Sequence, residues 1–324
     1  MKMLYSFRER LRAVYADYTV YLDILGKFIL AFVCLYWIGQ VFGGRGILAN
    51  IFVVVFVSLI LSLFPTRAIT IVSALFIIAQ SFSIGLDAAA LSAAVLLALF
   101  CLFLVHVPDD SAALIFTPMA MFFGIPAIVP IFCGLKRRPV SLLATASGAV
   151  TYHLLLVLMK NADLPPVESM SGYVDRLVNL AGQFVGSRDM ISDVLALCGA
   201  LVIVYAVRNL DADYAFEAAI VSGAAVYAAF EFLINTASET LFDPVRVIAG
   251  AIVSAVAMLV VNYFFFAPDY RKSEKLVFED DSYYYYVKAV PKLDHLAEAV
   301  RDDGTEDGEA AETGEGSAKE GGET

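Results

Sequence analysis

The chain has 324 residues, 60% of them hydrophobic and 17% charged, with a mean hydropathy of +0.76. Soluble domains average about 45–50% apolar and about 25% charged residues, so much of this surface must face lipid; a soluble enzyme, a nucleic-acid binder and a secreted disulfide scaffold are excluded for most of the chain. The net charge is −11, but residues 268–324 carry −9 of it, so acidity is a property of the C-terminal tail and says nothing of a substrate.

Within residues 1–21, Leu4, Phe7, Leu11, Val14 and Tyr18 recur at helical spacing, with Lys2, Arg8 and Arg12 on the other side. The pattern predicts an amphipathic helix on the cytoplasmic surface of the membrane, its bases among anionic lipid headgroups, or else packed on cytosolic parts of its own fold. No small-x-small cleavage site follows the basic start, so the segment reads as retained.

Nine apolar stretches follow, at residues 22–42, 47–64, 69–84, 88–107, 112–135, 140–159, 191–207, 214–234 and 245–266. Each is near the length a helix needs to cross about 30 Å of hydrocarbon. Stretch 112–135 is the exception, because Pro118, Pro126 and Pro130 each delete a backbone donor and Gly124 sits in its middle. A helix, a break and a second helix that enter and leave by one face satisfy that chemistry.

Flanking charge points the same way. If 112–135 turns back, twelve bases (Lys2, Arg8, Arg10, Arg12, Arg67, Lys136, Arg137, Arg138, Arg208, Arg271, Lys272 and Lys275) share the N-terminal side, against Arg45, Lys160, Arg176, Arg188 and Arg246 on the other. If it crosses, as a kinked full span, the tally is eight to nine and the positive-inside bias disappears. The expected fold is therefore all-α: a polytopic membrane helix bundle over residues 22–266, with about eight transmembrane helices plus one Pro/Gly-broken re-entrant segment. Both termini are expected in the cytoplasm of a bacterial cell, the chain lying in its cytoplasmic membrane.

Between Lys160 and Met190, Tyr173, Leu177, Leu180 and Phe184 predict a short surface helix on the outer face. Small residues four apart (Ala144 with Gly148, Ala215 with Ala219 and Gly223, Gly250 with Ser254) predict close helix approach, within one subunit in preference to a dimer.

Ionisable groups inside a bilayer cost about 2.5–3.5 kcal/mol on the insertion scale, so each is a candidate for function. Glu217 and Glu231 lie fourteen residues apart on one helix face, about 21 Å along the axis, with Ala224 and Ala228 between them. That is too far for paired acid–base catalysis. It suits the two mouths of a polar path, or snorkelling and pairing with Arg208 and Lys160. His153 and Gln80 complete the possible pathway; a buried histidine can relay protons or hydrogen-bond a neighbouring helix. His106, beside Asp109 and Asp110, reads as part of a solvated acidic loop.

The four cysteines are far apart in apolar runs and read as small hydrophobes. No glycine-rich phosphate loop, paired histidine ligand set or serine elbow is present, so the sequence implies no catalytic residues, no metal and no cofactor.

Residues 267–301 form a cytoplasmic juxtamembrane segment. Within it, 276–291 contains Tyr283, Tyr284, Tyr285 and Tyr286 and predicts an extended strand, able to add to a cytoplasmic partner or to a second copy of the chain. Residues 302–324, rich in Glu and Gly, predict a disordered acidic tail. Two functions fit: a non-enzymatic subunit or scaffold of a membrane-embedded complex with a docking tail, which the tail favours, and a transporter or channel for a small solute or ion.

Overall fold

In a computed structural model of the chain, residues 18–44, 47–106, 112–136, 140–162, 170–210, 214–237, 243–266, 274–279 and 284–289 are described. They belong to two compact units, one of them Tyr18–Asn262. The amphipathic pattern up to residue 17, Asp109 and Asp110, Arg137 and Arg138, Tyr283 and the acidic tail lie outside the described residues.

Every described element of the Tyr18–Asn262 unit is helical. The order is α1 (Thr19–Val41), a 3-10 turn (Ile47–Ala49), α2 (Ile51–Leu61), α3 (Thr66–Ser81), α4 (Leu86–His106), α5 (Ala113–Phe122), α6 (Ile128–Leu135), α7 (Ser141–Lys160), α8 (Met170–Val185), α9 (Arg188–Arg208), α10 (Ala215–Ala237) and α11 (Pro244–Val261). Five of these helices, α1, α7, α9, α10 and α11, are long and apolar enough to cross a membrane. Shorter apolar helices are α2, α3, α5 and the Leu86–Leu102 part of α4.

The largest departure from the eight expected crossings is α2, whose 11 residues reach only about 16 Å. The apolar run 47–64 hides its two stops. Asn50 caps α2 by accepting the Phe52 N–H, and a turn through Leu63 and Phe64 leads to Pro65, which opens α3.

The unit is apolar on the outside, and its largely apolar interior holds a set of buried polar side chains. Phe52, Leu75, Leu97, Val221 and Leu233 are exposed, while Ser58, Thr117, Thr145, Thr151, His153 and Ser254 are buried. Ser58, Thr145, Thr151 and Ser254 donate their hydroxyl protons to the backbone oxygen four residues earlier. A helix in lipid satisfies its polar groups in this way, within its own turns.

The segment 113–135 is two short helices joined at Gly124. Gly124, at φ +76°, closes α5: its N–H donates to Met121 O and the Ile125 N–H to Ala120 O, the paired bonds of a glycine C-cap. Pro126 follows in the break. The other two prolines do not break the chain. Pro130 lies in the first turn of α6, where no donor is missed, and Pro118 sits inside α5.

Packing fixes the direction of each half. A methyl group at Gly148 of α7 would collide with Thr117 and crowd the Ala113 oxygen, and one at Gly134 would collide with Val204 and crowd the Leu201 oxygen. Gly148, Leu201 and Val204 all lie about 18–24 Å along α7 and α9 from the ends that flank α8. The Gly124 carbonyl, by contrast, occupies the place of a side chain on Gly250, only about 9 Å from the start of α11. The two helices thus fold back on each other, with the break pointing toward the α8 end and both outer ends at one deeper level. Gly223 leaves room for Val204 and Ile131, so all three small-residue motifs serve packing inside the chain.

The surface helix expected after Lys160 is α8. Leu180 and Phe184 are buried and Leu177 is half-buried, while Val174, Val178 and Val185 are exposed. Its Arg176 Nε lies 2.8 Å from Asp87 Oδ2, whose side chain is fully buried, and this ion pair fixes the start of α4 at the same end.

In the second unit, β1 (Glu274–Glu279) pairs antiparallel with β2 (Tyr284–Ala289), from Glu274 opposite Ala289 to Glu279 opposite Tyr284. Instead of the single strand expected over 276–291, there are two, and Tyr284, Tyr285 and Tyr286 form part of the second.

Candidate polar site in the helix bundle

Three helices bring acids and a histidine to one level. His153 lies seven residues before the end of α7, Asp193 five residues into α9 and Glu231 six residues before the end of α10. With a rise of 1.5 Å per residue, all three sit about 8–10 Å below the α8 end, level with Gly124 and Gly250.

His153 Nε2 is 2.8 Å from Asp193 Oδ2. The Glu231 side chain is in hydrogen-bond contact with that of Asp193. Asn235, one turn further along α10, donates its amide to Glu231 Oε2 at 2.9 Å and to the Glu231 backbone oxygen at 2.8 Å. Glu231 is only 5% exposed, and its Oε1 is buried with no donor supplied. Two ionised carboxylates have no proton to place between them, and unit charges 4 Å apart repel by about 4 kcal/mol at an effective dielectric constant of about 20. A proton held between the two side chains would remove that repulsion.

Two cavities flank the cluster. The first, about 160 Å³, is lined by Gly124, Tyr152, Asp193, Tyr227, Arg246 and Gly250, among others. The second, about 270 Å³, is lined by His153, Lys160, Gln183, Ser187 and Asp189, among others. Asp193 lines one and His153 the other, so their hydrogen bond lies in the partition between them.

The residues singled out in the sequence divide accordingly. His153 and Glu231 meet through Asp193, and Gly124 and Pro126 line the first cavity. Glu217 and Gln80 line neither cavity. Glu217 accepts from Asn262 Nδ2 at 3.2 Å, and its Oε2 is buried without a donor. Gln80 is buried in α3 with its Nε2 lacking an acceptor. Arg208, a suggested partner of the glutamates, lies over the Phe216 ring at 4.6 Å.

Asp193 is the site residue absent from the sequence-based expectations. It lies inside the apolar stretch 191–207, so the rule that singles out Glu217 and Glu231 applies to it equally. Tyr152, Tyr227 and Arg246 carry no comparable signal, since aromatic residues and a helix-start arginine are ordinary in membrane helices. Among the described residues no group of three or more His, Cys, Asp or Glu side chains is arranged to hold a metal ion. No protein-family model, curated protein or solved structure matches this chain.

Proposed function

We propose that the chain is a multi-pass membrane transport protein, a permease for a small polar solute, with its binding site at the Gly124 break. One observation carries this reading: the break and the half-buried acid Asp193 line the same cavity, closed by Gly250 on α11. Non-helical backbone at membrane depth is tolerated where it is buried in protein or lines a cavity, and known transporters place broken helices at the substrate site.

In this reading 112–135 is re-entrant, α8 lies outside, and both termini are in the cytoplasm of a bacterial cell. The short α2 leaves that orientation unchanged. The 3-10 turn before it abuts Gly39 near the end of α1, and only four residues lie between α3 and α4, so α2 and α3 together start and finish on the α8 side. The first cavity admits a small solute, and Arg246 and Asp193 offer it opposite charges.

Two-sided access tests the proposal without knowledge of the solute. Val247, which lines the first cavity, is changed to Cys in a chain whose four native cysteines are Ala, and an impermeant maleimide is added to right-side-out or inside-out vesicles. A transport site is labelled from both sides. A scaffold is labelled from one side or neither.

The β1–β2 pair supports a second reading, a subunit with a docking tail. A two-stranded sheet leaves the outer edge of each strand open to a partner. Affinity purification with and without residues 276–324 tests it, and an unchanged partner list would remove it.

A further inference from the structure

We infer that Asp193 and Glu231 hold one exchangeable proton between them and that His153 passes it to the second cavity, making this a proton-coupled site. The inference deepens the transport reading, since it names the coupling ion of the same site.

Four observations carry it. The two carboxyls are in contact, a geometry that binds a proton and repels without one. Glu231 Oε1 is buried and has no other donor, because Asn235 serves Oε2. His153 Nε2 is committed to Asp193 Oδ2, so Nδ1 is the ring nitrogen left to exchange. His153 also lines the second cavity while Asp193 lines the first, so a proton entering by one reaches a group exposed to the other.

The transfer balances without an external reagent. A hydronium in the second cavity delivers a proton to Nδ1 and is left as water, and the Nε2–H bond breaks as an O–H bond forms on the Asp193 carboxylate once the pair has released its proton; the reverse sequence returns the proton to the second cavity. The imidazole is left as the other tautomer, and no electrons change hands. A solute with a positive group entering the first cavity competes with that proton for Asp193, which is how the two movements become linked.

The surrounding charges are few. Asp189 on α9 and Lys160 on α7 act on His153, Tyr152 on α7 and Tyr227 on α10 lie within reach of the carboxylates, and Arg246 on α11 acts on Tyr152. The Met121, Gly124 and Pro126 side of the cavity adds none. No other cation lies in hydrogen-bond contact with Glu231 among the described residues, so the proton is its counter-charge.

Infrared difference spectroscopy of the full chain in lipid nanodiscs tests the site. At neutral pH the wild type should show a protonated-carboxyl band that is lost in both Glu231→Gln and Asp193→Asn. A wild type without the band overturns the inference. So does a band that survives in Asp193→Asn, because the proton would then belong to Glu231 alone.

His153→Gln leaves both acids in place. It should keep the band and slow its hydrogen–deuterium exchange by on the order of a hundredfold; unchanged exchange overturns the relay. These outcomes are separate from the accessibility test, since a proton site without two-sided access removes the transport reading alone, and two-sided access without the band removes the proton alone.

Discussion

The carbonyl oxygen of Gly124 occupies the space that a side chain on Gly250 would fill. Position 250 must therefore remain a glycine for the break to reach α11. Gly250→Ala forces backbone apart and should destabilise the folded protein by about 1–3 kcal/mol, as overpacking does. Gly182, on α8, has nothing within 4 Å of the place a methyl group would take, so Gly182→Ala should be neutral or stabilising by up to about 1 kcal/mol. Denaturant unfolding in detergent of the two variants side by side checks the contrast.

Gly124 itself is held at φ +76°, where a Cβ is strained. Gly124→Ala meets no neighbouring atom, so its cost is conformational, about 1–2 kcal/mol. Gly124→Asn, which tolerates the left-handed region better, should recover part of that loss in the same unfolding experiment.

Asp87 is fully buried against Arg176, which is 11% exposed. Removing one member of a buried ion pair strands the other charge, a loss of about 3–5 kcal/mol. Arg176→Met should therefore lower stability far more than Arg188→Met, at the start of α9. Proteolysis within α8, read by mass spectrometry, should accelerate in the first variant alone.

Cys34 and Cys133 are buried in the helix packing, whereas Cys101 is exposed on an apolar helix. In lipid, an impermeant thiol reagent should leave Cys34 and Cys133 unmodified until detergent and denaturant are added. Labelling of either in the folded protein would contradict the packing of α1 or α6.

The overall plan was legible because lipid leaves a coarse signature. Long uncharged runs mark helices, and the stripe of Leu177, Leu180 and Phe184 marks α8. Proline and glycine chemistry also located the one interruption in 112–135, although it could not say that Gly124 and Pro126 make the break while Pro118 and Pro130 are absorbed into helices. That depends on which donors fall in a first turn and which cap geometry wins, both decided by a residue or two.

The length of α2 was illegible for a similar reason. Asn50 and Pro65 act through local hydrogen bonds, which hydropathy does not register. The site was half legible. Single-helix spacing paired Glu231 with Glu217, a relation along one axis, but chemistry across helices joins Glu231 to Asp193 and His153. Pairing between helices depends on rotation and depth, and one helix's periodicity holds neither.

The fold-back of residues 113–135 is tested most directly by labelling its two ends. Single cysteines at Ala112 and Lys136, in the chain with all four native cysteines replaced, are exposed to an impermeant maleimide in oriented vesicles, with Gly182→Cys on α8 as the marker of the other face. Ala112→Cys and Lys136→Cys should react from the same side, opposite to Gly182→Cys. Reaction of positions 112 and 136 from opposite sides would mean that the segment crosses the membrane, and would contradict the re-entrant site.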